Sequence, residues 1–139
     1  MRDKPRCVFD TNVIVSAFLF ERSEPGRAFA EALDRGQILL SAQVAIELTE
    51  VLRREKFDRY VSRKKREDLL KALIQEAVFV EITERIEVCR DPKDDKYLEL
   101  AVSGGADCIV SGDGDLLVLS PFREVLVLRP ADFLRWISL

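Results

Sequence analysis

Carboxylates follow two apolar runs at the points where the chain leaves a strand, and the chain has no histidine to share their chemistry. Asp10 closes the run Cys7-Val8-Phe9, and Asp113 follows the run Cys108-Ile109-Val110. Ligands of open α/β sheets bind beyond the carboxyl ends of strands, so two such acids can meet across one crevice. Carboxylates held close together repel unless a proton or a cation lies between them. Because oxygen ligands suit Mg²⁺ or Mn²⁺, the pattern predicts a metal-dependent phosphodiesterase site.

The absence of histidine excludes several classes of mechanism. A Ser-His-Asp triad, a Cys-His pair and a histidine metal site cannot be built from this chain. The three cysteines are widely spaced and odd in number, which favours small buried side chains over a zinc site or a disulfide framework. Any hydrolysis would therefore depend on water activated by a metal ion.

Length and composition indicate one globular domain over residues 1–139. The chain is 47% hydrophobic and 34% charged, which is enough apolar material for a core. No apolar run reaches transmembrane length, and the first five residues lack the apolar stretch of a signal peptide. A cytoplasmic protein is expected.

Apolar periodicity alternates between strands and helices, which is typical of a parallel sheet covered on both faces. The predicted fold class is therefore α/β, a three-layer α/β/α sandwich with a mostly parallel sheet. Strands are predicted at residues 6–9, 38–40, 79–82, 108–110 and 125–128. Helices are predicted from Asn12 as a cap, at 25–35, after Ser41, at 63–78, at 94–102 and from Pro130.

Two further acidic positions lie on predicted helices. Glu47 borders the apolar stripe of its helix and could be either a site residue or a solvated side chain. Asp94 and Asp95 begin a later helix, where acids also complement the helix dipole. Periodicity alone does not separate these two aspartates.

Structural explanations remain open for the acids at the strand ends. Asp10 could cap the helix that follows it, and a turn could by itself explain Asp113 and Asp115, which flank Gly114. Asp107 precedes the strand that ends before Asp113, so it is expected on the surface at the opposite end of the sheet.

Taken together, the four acidic clusters resemble the PIN-domain nucleases, including the toxin half of VapC-type toxin–antitoxin pairs. The resemblance spans essentially the whole chain and is carried by residues 8–13, 47–48, 91–101 and 105–116. Aligning backwards from the Gly-Ala pair at 105–106 places the third acid of the family on Asp94 rather than Asp95.

The resemblance implies a five-stranded parallel sheet, frequent homodimers and cleavage of RNA with Mg²⁺ or Mn²⁺. It also implies an antitoxin protein as a partner. Asn12 and Ser111 would fix the orientation of the carboxylates, and Asp115 would be accessory. The implied catalytic residues are Asp10, Glu47, Asp94 and Asp113, of which Asp10, Asp94 and Asp113 would hold the metal.

A basic run interrupts the otherwise acidic chain. Residues 53–66 hold eight basic and two acidic side chains, a charge of +6 within a chain of −3. Phe57 and Tyr60 interleave with these charges, a pattern that suits phosphate contact and base stacking. A solvated helix connection would explain the run equally well. The RNA-binding residues predicted here are Arg63, Lys64, Lys65 and Arg66.

Apolar residues near the N-terminus and around 69–78 exceed what one sheet face needs. Phe18, Leu19 and Phe20 cannot all point inward, because neighbours on a helix differ by about 100°. Exposed apolar surface of this kind usually marks an interface. A homodimer is expected.

Two alternative functions can be compared by the residues that each requires. A phosphatase of the haloacid-dehalogenase type needs an aspartate two residues after the first, and that position is Asn12. The other alternative is a non-catalytic PIN-like module that binds RNA or protein, which would suit a chain that had lost acids.

Overall fold

Five parallel strands form the central sheet of the computed structural model, which describes residues 4–139. Residues 1–3, part of the segment inspected for a signal peptide, lie outside the described residues. The strands are β1 (Arg6–Phe9), β2 (Gln37–Leu40), β3 (Val78–Phe79), β4 (Cys108–Val110) and β5 (Leu126–Leu128). The helices are α1 (Thr11–Leu19), α2 (Glu24–Arg35), α3 (Ala42–Leu52), α4 (Arg63–Glu76), α5 (Asp95–Ser103), α6 (Gly114–Leu117) and α7 (Pro130–Ile137).

The strand order is β3-β2-β1-β4-β5, so β2 and β3 are added on one side of β1, and β4 and β5 on the other. Strands β1 and β4 pair in register from Cys7 with Cys108 to Phe9 with Val110, so their carboxyl ends lie side by side. Right-handed crossovers place the helices that follow β1 and β2 on one face and those that follow β3 and β4 on the other. The predicted α/β/α fold is confirmed, and this reversal of strand order creates a crevice beyond β1 and β4.

The strands are apolar because both faces of the sheet are covered. The residues of β4 and the last three of β1 are buried. On the face that carries α2 and α7, Phe9 contacts Phe29 and Phe133 in edge-to-face geometry, with ring centroids 5.5 and 5.7 Å apart. This packing holds the carboxyl end of β1 firmly under the crevice.

Several predicted boundaries shift. The cap of α1 is Asp10 rather than Asn12, and the helix predicted over 63–78 ends at Glu76. The strand predicted over 79–82 is wrong in extent, because β3 is the two-residue edge strand Val78–Phe79. The short helix α6 was not predicted, since four residues carry no periodicity.

The chain between β3 and α5 has no regular secondary structure over residues 80–91. It is held instead by side chains of α5. Ser103 accepts the backbone N–H groups of Thr83 and Glu84, and Glu99 accepts that of Ile86 over 3.0 Å. This segment therefore runs along α5 rather than extending the sheet.

Asp107 lies at the amino end of β4, as predicted, but it is half-buried rather than fully on the surface. Its Oδ2 accepts the backbone N–H of Arg6 over 2.8 Å, which ties β4 to β1 at the end opposite the crevice. Within residues 4–139, no helix is long and apolar enough to cross a membrane.

Candidate active site

A cleft of about 440 Å³ opens at the crevice beyond β1 and β4. Four acids predicted from the sequence line it, each from a different part of the fold. They are Asp10 after β1, Glu47 on α3, Asp94 before α5 and Asp113 after β4. The fold thus brings together acids that are up to 103 positions apart in the sequence.

Asp10 is a cap and a site residue at once. Its Oδ1 accepts the backbone N–H of Asn12 over 3.0 Å, and its Oδ2 accepts the hydroxyl of Ser111 over 2.8 Å. Burial raises the pKa of Asp10, the two hydrogen bonds oppose that rise, and the charges of Asp113 and Glu47 add to it. The capping and site interpretations of Asp10 are therefore compatible.

Asp113 is positioned by the turn that follows β4. The fully buried Ser111 accepts the backbone N–H of Asp113 over 3.0 Å while donating to Asp10. The carboxylate of Asp113 then caps α6 by accepting the N–H of Asp115 over 2.9 Å. Asp115 thus contacts Asp113 through its backbone N–H. Asn12 likewise donates its backbone N–H to Asp10, while the Asn12 side chain is exposed.

Asp94 and Asp95, which periodicity could not separate, have different surroundings. Asp94 faces the cleft, where the negative charge of Asp113 acts on it and helps to raise its pKa. Asp95 points to the preceding segment, where its Oδ1 accepts the backbone N–H groups of Val88 and Cys89 over 3.1 and 2.8 Å. These hydrogen bonds lower the pKa of Asp95 despite its burial.

Burial and charge repulsion together raise the pKa of Asp94. Burial and the charges of Asp113, Asp10 and Asp91 raise its pKa from 3.8 to about 6. Carboxylates held close together repel unless a proton or a cation lies between them. A divalent cation at this position would replace that proton.

The donor set fits Mg²⁺ or Mn²⁺, which prefer oxygen ligands. Among residues 4–139, no three carboxylate or cysteine side chains converge closely enough to enclose an ion by themselves. That arrangement is compatible with Mg²⁺ in particular, because this ion keeps several waters and binds through one or two carboxylates. Asp10, Asp94 and Asp113 are the residues that would hold it, directly or through its bound waters.

Glu47 differs electrostatically from the three aspartates. Its Oε2 lies 2.6 Å from the ammonium of Lys96, and its Oε1 accepts the hydroxyl of Tyr97 over 2.7 Å. Burial alone would raise the pKa of Glu47, but the hydrogen bonds from Lys96, Thr11 and Tyr97 and the charge of Lys96 lower it. Glu47 is thus held as a carboxylate.

Sequence reasoning missed Lys96, Tyr97 and Lys93, all of which line the cleft. The missed signal was the juxtaposition of a lysine and a tyrosine in the first turn of a helix whose other residues are mostly apolar. Both side chains are buried on α5 and face α3, where only a carboxylate such as Glu47 makes a buried ammonium tolerable.

The structure divides the predicted RNA-binding run. Arg63, Lys64 and Lys65 are exposed at the start of α4, but Arg66 is only 1% exposed. The guanidinium of Arg66 donates to the backbone carbonyls of Leu52, Val61 and Arg54 and pairs with Asp58 over 2.8 Å. Unlike its three neighbours, Arg66 is therefore not an exposed cation, because its guanidinium is bound within the connection between α3 and α4.

The predicted apolar surface is also divided. Phe18 is buried, whereas Phe20 is 48% exposed and meets Tyr60 with ring centroids 5.3 Å apart. A second cleft, about 680 Å³ and more apolar, lies between α3 and α4 and is lined by Leu52, Leu70 and Ile74 among others. It lies on a different part of the surface from the acidic cleft.

Comparison with known proteins identifies the family. The sequence matches the profile described as PIN domain over residues 6–115, a stretch that includes all four clustered acids. The chain therefore belongs to the PIN-domain family, as the sequence motifs predicted.

One solved structure of similar fold is the crystal structure of VapBC2 from Rickettsia felis bound to a DNA fragment from its promoter. The superposition has a TM-score of 0.60 at 10% sequence identity and covers 89% of this chain and 98% of that chain. At such low identity the similarity shows the fold alone. No curated protein matches the sequence.

Proposed function

We propose that this PIN-domain protein is a cytoplasmic, divalent-metal-dependent endoribonuclease that hydrolyses RNA phosphodiester bonds. The observation that carries the proposal is the meeting of Asp10, Glu47, Asp94 and Asp113 in one cleft at the strand-order reversal. The family and the oxygen-only donor set support it. The chain has kept all four acids, which argues against the alternative of a non-catalytic RNA- or protein-binding module.

The residues divide the chemistry between them. Asp10, Asp94 and Asp113 hold the Mg²⁺ or Mn²⁺ ion, with Ser111 fixing the orientation of Asp10. When bound, the ion supplies charge neutralisation at the phosphate and activation of water. Glu47 orients the attacking water, and its lowered pKa makes it a weak proton acceptor at neutral pH.

Substrate binding would draw on the basic run. Arg54, a member of that run, lines the acidic cleft, and Lys93 lies at the same rim. Arg63, Lys64 and Lys65 continue the positive charge along the start of α4. These exposed cations would contact RNA phosphates and form a locally positive surface on a chain whose net charge is −3.

We further propose that the protein is the toxin of a toxin–antitoxin pair and that it forms a homodimer. The similarity in fold to VapBC2 supports the antitoxin partner. The exposed side chains of Phe20 and Ile74 supply apolar surface for a second chain.

The test is a metal titration with a fluorogenic RNA. The protein is first stripped with chelator, and Mn²⁺ or Mg²⁺ is then added in steps while initial rates are recorded. Cleavage that rises with the metal and is absent in Asp113→Asn supports the nuclease. RNA binding without cleavage at any metal concentration would favour the non-catalytic module.

A further inference from the structure

Lys96 is a buried cation inside a site built from acids. Its side chain is only 7% exposed, and its ammonium lies 2.6 Å from Glu47 Oε2. The same ammonium donates to the backbone carbonyl of Lys93 and lies 4.7 Å from the centre of the Tyr97 ring. A lysine is rarely buried unless its charge is compensated, so this placement requires the carboxylate of Glu47.

Tyr97 occupies the other oxygen of the same carboxylate. Its hydroxyl donates to Glu47 Oε1 over 2.7 Å and accepts the backbone N–H of Thr11 over 3.2 Å. The Thr11 hydroxyl lies 2.9 Å from the hydroxyl oxygen of Tyr97. Glu47 is thereby linked to the first turn of α1, directly beside Asp10.

We propose, resting on the nuclease function above, that Lys96 and Tyr97 are positioning residues that keep Glu47 out of the metal's ligand set. Each oxygen of Glu47 has a protein donor, and the charge of Glu47 is balanced locally. The ion is then attracted by Asp10, Asp94 and Asp113, while Glu47 stays at a fixed position from which it can orient water.

The geometry of α5 explains why consecutive residues can do this. Lys96 and Tyr97 point about 100° apart on the helix, so their donors approach the carboxylate from two directions. Asp94 precedes them and lines the same cleft. One helix start thus supplies both a carboxylate for the ion and the donors that restrain Glu47.

The proposal makes a prediction that a purely structural ion pair does not. Lys96→Met, which preserves length, removes the positive charge and frees Glu47 Oε2. The variant should bind Mn²⁺ roughly threefold to tenfold more tightly in calorimetry, because one more uncompensated carboxylate faces the ion. Its kcat should nevertheless fall at least roughly tenfold with KM changed by less than about threefold, because Glu47 has lost its fixed position.

Three matched variants make the test specific. Lys93→Met removes a charge from the same rim but leaves the Lys96–Glu47 pair in place, so its Mn²⁺ affinity should rise less. In the Glu47→Gln background, Lys96→Met should change the affinity by less than about twofold, because no carboxylate is left to release. Tyr97→Phe, which leaves both charges in place, should tighten Mn²⁺ binding less than Lys96→Met and still lower kcat.

The outcomes separate this inference from the proposed function. If wild type binds no Mn²⁺ and cleaves no RNA, both are overturned. If wild type binds and cleaves but Lys96→Met and Tyr97→Phe leave the Mn²⁺ affinity unchanged or weaker, only the positioning role is overturned. An equal gain of affinity in the Glu47→Gln background would also overturn it, since the effect would then be net charge. If Lys96→Met does not fold, Tyr97→Phe decides.

Discussion

The hydroxyl of Ser111 donates to Asp10 Oδ2 over 2.8 Å, and Ser111 Oγ also accepts the backbone N–H of Asp113. One fully buried side chain therefore sets the position of two proposed metal ligands, on strands that are sequentially distant but adjacent in the sheet. Its removal would leave the Asp10 carboxylate with a higher pKa, because a hydrogen bond that favours the charged form is lost.

Ser111→Ala should lower the rate of RNA cleavage by roughly tenfold to a hundredfold, the usual effect of losing a residue that orients a metal ligand. The rate should recover partly at higher Mn²⁺ concentration, because weakened binding is compensated by mass action. Initial rates across a Mn²⁺ series measure both effects. Ser111→Thr keeps the hydroxyl and should retain most activity; equal loss in both variants would point to packing instead.

Asp94→Asn should abolish cleavage yet raise the melting temperature of the chelator-treated protein near neutral pH. The pKa of Asp94 is raised from 3.8 to about 6, so the fold favours the neutral form. The stability that protonation gives is present below the unfolded pKa and is lost as pH rises through about 6. Asparagine imitates the neutral acid and avoids that loss.

The pH dependence of this gain is its control. At about pH 5 most of the wild-type Asp94 carboxyl groups would carry a proton, so the melting temperatures of the two proteins should converge. Scanning calorimetry of both proteins in chelator, at about pH 5 and about pH 7.5, measures the difference. A gain that is the same at both values would mean that repulsion at Asp94 is not its source.

Asp95→Ala should destabilise the protein by about 1–3 kcal/mol, because two backbone N–H groups lose their acceptor. Asp95→Asn should cost less, since its amide oxygen can still accept from Val88 and Cys89. Chemical denaturation gives both values. Metal-dependent cleavage in Asp95→Asn should remain close to wild type. A folded but inactive Asp95→Asn would indicate that Asp95, rather than Asp94, is the metal ligand.

The contrast between these two aspartates shows what the sequence could predict. Strand ends fixed by apolar runs were sufficient to place Asp10 and Asp113, because parallel strands end at a common edge. The register of Asp94 came from the family motif, since helix periodicity does not resolve adjacent residues. The roles of Lys96 and Arg66 could not be predicted, because the sequence alone does not distinguish a buried lysine or arginine from an exposed one. The distinction requires knowledge of the partners that other elements of the fold supply.

Replacing Arg63, Lys64 and Lys65 together with serine should weaken RNA binding and flatten its salt dependence. Each phosphate contact to a single strand contributes about 0.7 to the logarithmic slope, so three lost contacts should reduce it by about 2. Fluorescence anisotropy at several salt concentrations measures the slope. An unchanged slope would mean that these cations only solvate the start of α4, where two of them already pair with Glu67 and Asp68.

Arg66→Met should behave in the opposite way to that triple variant. Its buried guanidinium donates to three backbone carbonyls and pairs with the exposed Asp58, so its loss should cost about 2–4 kcal/mol of stability. The salt slope of RNA binding should stay at the wild-type value at temperatures where the variant is folded. A stable Arg66→Met with a reduced slope would return Arg66 to the RNA-contacting set.

A homodimer is expected at micromolar concentration, because apolar side chains stay uncovered in both segments that were predicted to supply an interface. Phe20 and Tyr60 are 48% and 52% exposed and contact each other, while Ile74 is 38% exposed beside the cleft between α3 and α4. Light scattering should report about 32 kDa for a closed symmetric pair of 15.9 kDa chains. Phe20→Glu and Ile74→Glu, made separately, identify which surface is used, since a buried charge at the interface should restore the monomer mass. A wild-type mass of one chain across the concentration range would contradict the dimer and leave both surfaces to an antitoxin.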